Sequence, residues 1–204
     1  MGYNHYWHRS AEIDSEAFVR IVADFQRCVL ALDDAGVSLA GPMGDGLPRI
    51  DQDAIAFNGV RDCGHPKNDE IRIPFPSEEA AGVGSSLDAI VDSWFIGVQI
   101  RRRTCNGDCS YEAFVFERIA DGGDEHLGDS GRQITDHCKT GFRPYDLAVQ
   151  CALLIAKHHL EDRFGVASGG SDRHWNDARR LCYLHLGFPL GEFKIDREEG
   201  LIPG

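Results

Sequence analysis

Short strand-like segments scattered among three helix-like ones predict an α+β fold, with a mixed or antiparallel sheet packed against about three helices. Three observations carry this. Apolar side chains recur at helical spacing in residues 18–32, 144–160 and 175–185. Residues 3–9, 54–57, 71–75, 111–119 and 166–168 are short and rich in aromatic or β-branched residues, and most are bounded by turn formers. The two kinds of segment do not alternate regularly, so a parallel sheet of βαβ units is not expected.

In chain order, residues 3–9 read as a strand. Asp14 or Ser15 caps a helix whose inward stripe is Phe18, Ile21, Val22, Phe25, Val29 and Leu32, and Ala35-Gly36 ends it. Residues 41–48 carry four glycine or proline residues in their first six and form a loop. A strand at 54–57, a turn at Asn58-Gly59 and a strand at 71–75 follow, the last after a polar connection. Residues 87–100 are apolar enough for a helix passing into a strand, and 111–119 alternate as a strand does. Residues 121–136 are polar and glycine-rich and read as a mobile surface loop. Pro144 suits the first position of a helix running to Leu160, with Asp146 in its first turn at the positive end of the helix dipole. A strand at 166–168 leads to Ser171, which caps a last amphipathic helix bearing Trp175, Ala178, Leu181, Cys182 and His185. Residues from Gly187 onward read as loop, giving a single domain over 1–187 and a C-terminal tail over 188–204.

At 204 residues the chain can build one sizeable core, and 42% hydrophobic with 26% charged residues is ordinary for a soluble domain. The net charge of −12 argues against general nucleic-acid or anionic-membrane binding, which need a basic footprint. Arg101-Arg102-Arg103 and Lys139 with Arg143 are concentrated positive points, either a local basic pocket or, for the triple arginine, a solvated loop or strand edge. No run of about 18 apolar residues spans a membrane. The first residues lack the basic and apolar regions of a secretion signal. Seven scattered cysteines, an odd number, point to reduced thiols and a cytoplasmic location.

The densest chemistry is Cys138-Lys139-Thr140-Gly141-Phe142-Arg143-Pro144-Tyr145-Asp146, leading into the most apolar helix. A helix start favours anions and lowers thiol pKa values. Lys139, Arg143 and nearby backbone N–H groups then suit a phosphate or carboxylate, or Cys138 is an activated nucleophile, or the segment only caps and packs. Asp62 and His65 lie three apart on a loop after a strand, where Asp62 can orient His65 as a general base, or simply hydrogen-bond a turn. Cys63-x-His65 with Cys105-x3-Cys109 contains the donors of a zinc site, although the spacing is not that of a standard knuckle and the pairs lie about forty residues apart. His158 falls on the inward face of its helix, as a hydrogen-bonded core residue does. Ser168-Gly169-Gly170-Ser171-Asp172 is a small-residue turn that either approaches a phosphate or is a plain turn with a cap. His5, Trp7 and His8 read as packing and edge residues.

Several of these pieces resemble one uncharacterised family of small proteins encoded by bacteriophages and bacteria. They are Tyr3-x-His5-Tyr6-Trp7, Ile55-x-Phe57-Asn58-Gly59-x-x-Asp62-x-x-His65, Cys138-Lys139-Thr140-x-x-x-Pro144-Tyr145-Asp146, Ala156-Lys157-His158-His159, and Trp175-x-x-Ala178 with Leu181-Cys182. The resemblance covers residues 3 to about 187 and implies a phage-type context rather than a mechanism. The chain departs from it at Pro66, where a glutamate is expected, and at Ser168-Gly169-Gly170, where Ser-Asp-Gly is expected.

Three functions follow as expectations. The leading one is a cytosolic protein binding a small anionic, nucleotide-like ligand, with hydrolysis as a possible second step and interference with a host nucleotide signal as its use. Cys138, Lys139, Thr140, Arg143, Tyr145, Asp146 and Ser168 would contact that ligand, and His65 with Asp62 would be the acid–base pair. No cofactor and no metal belong to this reading. The second is a non-catalytic interaction or regulatory protein, and the third is a structural zinc module.

Overall fold

The computed structural model describes residues 3–67, 70–72, 102–120, 124–128, 131–196 and 198–204. The N-terminal strand β1 (Asn4–Ser10) lies inside a four-stranded antiparallel sheet, between β10 (Phe164–Ser168) and β9 (Gly131–Lys139), with β8 (Asp124–Gly128) beyond β9. Its side chains alternate, so His5, Trp7 and Arg9 are buried while Tyr6 and His8 face solvent. The register sets His5 opposite Cys138 on one side and Ser168 on the other.

Asp14 caps α1 (Ser15–Asp34), its carboxylate accepting from the N–H groups of Glu16 and Ala17 at 3.1 and 3.0 Å. The expected apolar stripe of α1 is its buried face, with Val29 half-buried at the margin. It packs on α2 (Asp146–Leu160), the central helix, and both pack on α3 (Asn176–Leu186). All of α2 is buried except His158 and His159. That burial leaves the Lys157 ammonium in the interior, where it donates to the carbonyls of Glu161 and Phe164 at 2.9 Å each. A cation is thereby placed against the negative helix end.

A second antiparallel group centres on β4 (Ala54–Gly59), buried throughout. It pairs with β2 (Leu39–Ala40), β3 (Arg49–Ile50) and β7 (Phe114–Glu117). Phe57 stacks on Phe25 of α1 at 5.4 Å between ring centres and meets Phe114 at 5.0 Å, which in turn touches Trp7 at 5.2 Å. This aromatic chain joins the two strand groups to the helices. A short pair, β5 (Glu70–Arg72) with β6 (Arg102–Thr104), completes the strands before β7.

The α+β class and the helices agree with the sequence reading. Four segments differ. The expected loop at 121–136 is the β8–β9 hairpin, whose backbone bonds to β1 stabilise a segment too polar to announce itself. The strand at 54–57 continues through Asn58-Gly59 because β2 pairs with those two residues. Ser171 caps a 3-10 turn, Asp172–Trp175, rather than α3 directly. Residues after Gly187 form a hairpin of β11 (Phe193–Asp196) and β12 (Gly200–Pro203), with Ile195 and Leu201 buried. Gly200 has φ +80°, and a Cβ there would stand 2.0 Å from the Val166 carbonyl oxygen, so the hairpin approaches β10 as only glycine permits. The expected helix–strand at 87–100 lies outside the described residues. No helix among the described residues is long and apolar enough to cross a membrane.

Candidate functional site

Two loops meet beside the end of β4. One carries Cys63 and His65, the other Cys105 and Cys109, and the four donor atoms all lie within 4.8 Å of one another. Cys63 Sγ is 4.0 Å from Cys105 Sγ, and Cys109 Sγ is 3.4 Å from His65 Nδ1. Donors bound tetrahedrally to zinc are separated by about 3.5–3.8 Å, given Zn–S near 2.3 Å and Zn–N near 2.0–2.1 Å. Three soft thiols and one imidazole at these separations fit that ion with little movement.

The local sequence explains the approach. Asn106 and Gly107 both have positive φ, 54° and 79°, and the Asp108 N–H closes the turn onto the Cys105 carbonyl at 3.0 Å. This tight Asn-Gly turn presents both sulfurs to the same side. Gly64, at φ +74°, reverses the chain between Cys63 and His65. The Cys109 N–H donates to the Val60 carbonyl at 3.0 Å, and the Cys109 carbonyl lies over Gly59. Burial pushes the Cys63 thiol up. The His65 N–H and the thiols of Cys109 and Cys105 more than offset this, leaving it below its ordinary value. Cys109 is pushed up, by burial first and then by its Cys63 and Cys105 neighbours.

A second polar cluster lies at the start of α2. Asp146 is fully buried and its Oδ1 accepts from Thr140 Oγ1 at 2.6 Å and from His5 Nε2 at 2.9 Å. Arg103 Nε stands 3.8 Å from Asp146 Oδ2, and Arg103 Nη1 stands 3.7 Å from Asp177 Oδ2. The Arg103 guanidinium lies under the Phe142 ring, 4.4 Å from its centre. His5 Nδ1 meets Ser168 Oγ at 3.0 Å.

Of the residues singled out from the sequence, Thr140, Asp146 and Ser168 are thus assembled, around a histidine read there as packing. The signal for His5 was present: it alternates with Trp7 and Arg9 on the inward face of β1, where an imidazole needs partners. Cys138 is wholly buried, its thiol bonds the Glu112 carbonyl at 3.5 Å, and burial drives its pKa well above the ordinary thiol value. Tyr145 is a core residue donating to the same carbonyl at 2.7 Å. Lys139 and Arg143 are half-buried, with the Lys139 ammonium 5.4 Å from the centre of the Tyr111 ring. Asp62 is exposed, whereas His65 turns to the thiols, so the two are not arranged as an acid–base pair. His158, read as a core residue, is half-buried and reaches Glu192 at 2.5 Å. Cys28, Cys151 and Cys182 also meet, where α1, α2 and α3 cross. All three are buried; burial pushes the Cys151 thiol well above its ordinary value, while the Cys151 and Cys182 thiols pull Cys28 below its own.

No protein-family model, no curated protein and no solved structure matches this chain.

Proposed function

We propose that the chain is a zinc-binding protein in which Cys63, His65, Cys105 and Cys109 hold one Zn2+ in a closed structural centre. The observation that carries this reading is the convergence of four zinc-type donors within 4.8 Å from two loops about forty residues apart. Four protein ligands leave no open position for water or substrate, so the metal joins loops rather than activating a reactant. We rank this above an anion site at Lys139 and Arg143. The first turn of α2 already contains the buried Asp146 carboxylate, and a second anion beside it would meet like charge.

Protein purified without chelators should contain about one zinc per chain, and Cys105→Ser and Cys109→Ser should each reduce this several-fold. Cobalt substituted for zinc should give the visible absorption of a tetrahedral thiolate site. Zinc below about a tenth of an equivalent, from cells grown with added zinc, would overturn the proposal.

A further inference from the structure

Ser168, His5 and Asp146 come from three elements, the end of β10, β1 and the start of α2, and form one line of hydrogen bonds. Ser168 Oγ is 3.0 Å from His5 Nδ1, and His5 Nε2 is 2.9 Å from Asp146 Oδ1. The directions of these bonds are fixed by chemistry. A carboxylate only accepts, so His5 donates from Nε2, and a neutral imidazole then presents a bare Nδ1 to the serine. Ser168 Oγ accepts the Gly170 N–H at 3.0 Å, which leaves its own proton for His5. Thr140 and Arg103 hold the Asp146 carboxylate in place. Burial is graded along the line: Asp146 and His5 are fully enclosed, and Ser168 is half-buried. Ser168 is thus the one member of the line with solvent exposure, two residues before Gly170, where a Cβ would stand 2.8 Å from the Tyr3 hydroxyl.

We propose that Ser168 is a nucleophile toward neutral carboxylic esters, with His5 as general base and Asp146 orienting it. Ser168 Oγ attacks the carbonyl carbon as its proton passes to His5 Nδ1. The tetrahedral adduct collapses, the C–O bond to the leaving alcohol breaks, and His5 returns the proton to that alcohol. Water, deprotonated by the same nitrogen, then hydrolyses the acyl-serine, so ester plus water gives acid plus alcohol and restores the hydroxyl. The ring is turned relative to the serine-protease arrangement, where serine faces Nε2, but either nitrogen serves as base when the other holds its proton against a carboxylate. The net charge of −12 disfavours anionic esters, so uncharged ones are the substrates to test.

This site shares no residue with the proposed zinc centre and is tested separately. A fluorophosphonate probe incubated with the folded protein should form one adduct, mapped by peptide mass to Ser168, and none on the same protein unfolded in urea. Hydrolysis of p-nitrophenyl acetate and butyrate should fall about 100-fold or more in Ser168→Ala. The absence of an adduct on Ser168 in the folded wild-type chain would overturn the proposal without reference to any variant. So would an adduct that persists in urea, or ester hydrolysis unchanged in a Ser168→Ala protein with the wild-type melting profile.

Discussion

Gly59 illustrates how one residue controls the spacing of the cysteine loops. A Cβ built there would stand 1.9 Å from the Cys109 carbonyl oxygen and 2.5 Å from its carbon. Both contacts are with backbone, which cannot rotate away as the end of a side chain can. Gly59→Ala must therefore displace the loop segment holding Cys109, at a cost of about 1–3 kcal/mol or more, and carry one sulfur out of its cluster. The expected outcome is a lower melting temperature together with reduced zinc content, read by calorimetry and elemental analysis on one preparation. At this scale the residue types were legible in the sequence, but their partners were not. Cys63 and His65 name zinc chemistry as readily as acid–base chemistry, and only the juxtaposition of two loops, through β4 and the turn at Asn106-Gly107, distinguishes the two. His5 was harder, because a histidine on an alternating strand looks the same whether it is packed or bonded.

The helices were the most legible elements, since a period of 3.6 stands out over fifteen or twenty residues. In α2 nearly every side is buried, so the periodicity gives way to a continuous apolar run, and its depth in the core is the more certain for it. Leu154 is 2% exposed at the centre of that run. Leu154→Ala should cost roughly 2–5 kcal/mol, measured as a shift of the urea midpoint at unchanged slope. A loss under about half a kcal/mol would mean that the helix repacks around the deletion. Strands were less legible for a stated reason. Among the residues of β9 whose burial is described, Ile134 and Cys138 are the buried ones, beside several polar residues, and its pairing with β1 decides its structure. The C-terminal hairpin was hidden by its shortness, with Ile195 and Leu201 its two buried apolar anchors.

Across the whole molecule, the proposed metal would tie the segment after β4 to the segment between β6 and β7. Both are loops outside the regular strand pairing, so the ion would add a cross-link between them. Removing it with a strong chelator should lower the melting temperature by about 10 °C or more, since a site worth several kcal/mol shifts a chain of this length by about 2–4 °C per kcal/mol. Acid should have the same effect: protons compete with zinc for thiolates and imidazole, so stability from the ion is present near neutrality and declines as pH falls. An apo protein melting at the same temperature would mean that the loops are held by other contacts. The fold class follows from pattern alone, while this cross-link depends on residues that come together only once the chain is folded.

The interior position of β1 also constrains the order of events at the ribosome. One neighbour of this strand begins at Gly131 and the other ends at Ser168, so β1 is made well before either of its partners. Until then Trp7 and the inward row beside it have no sheet to join. Loop closure over so many residues is slow compared with helix formation. β1 therefore waits without its partners while residues 11–130 are made, and the central sheet closes only when the segment bearing Ser168 has emerged.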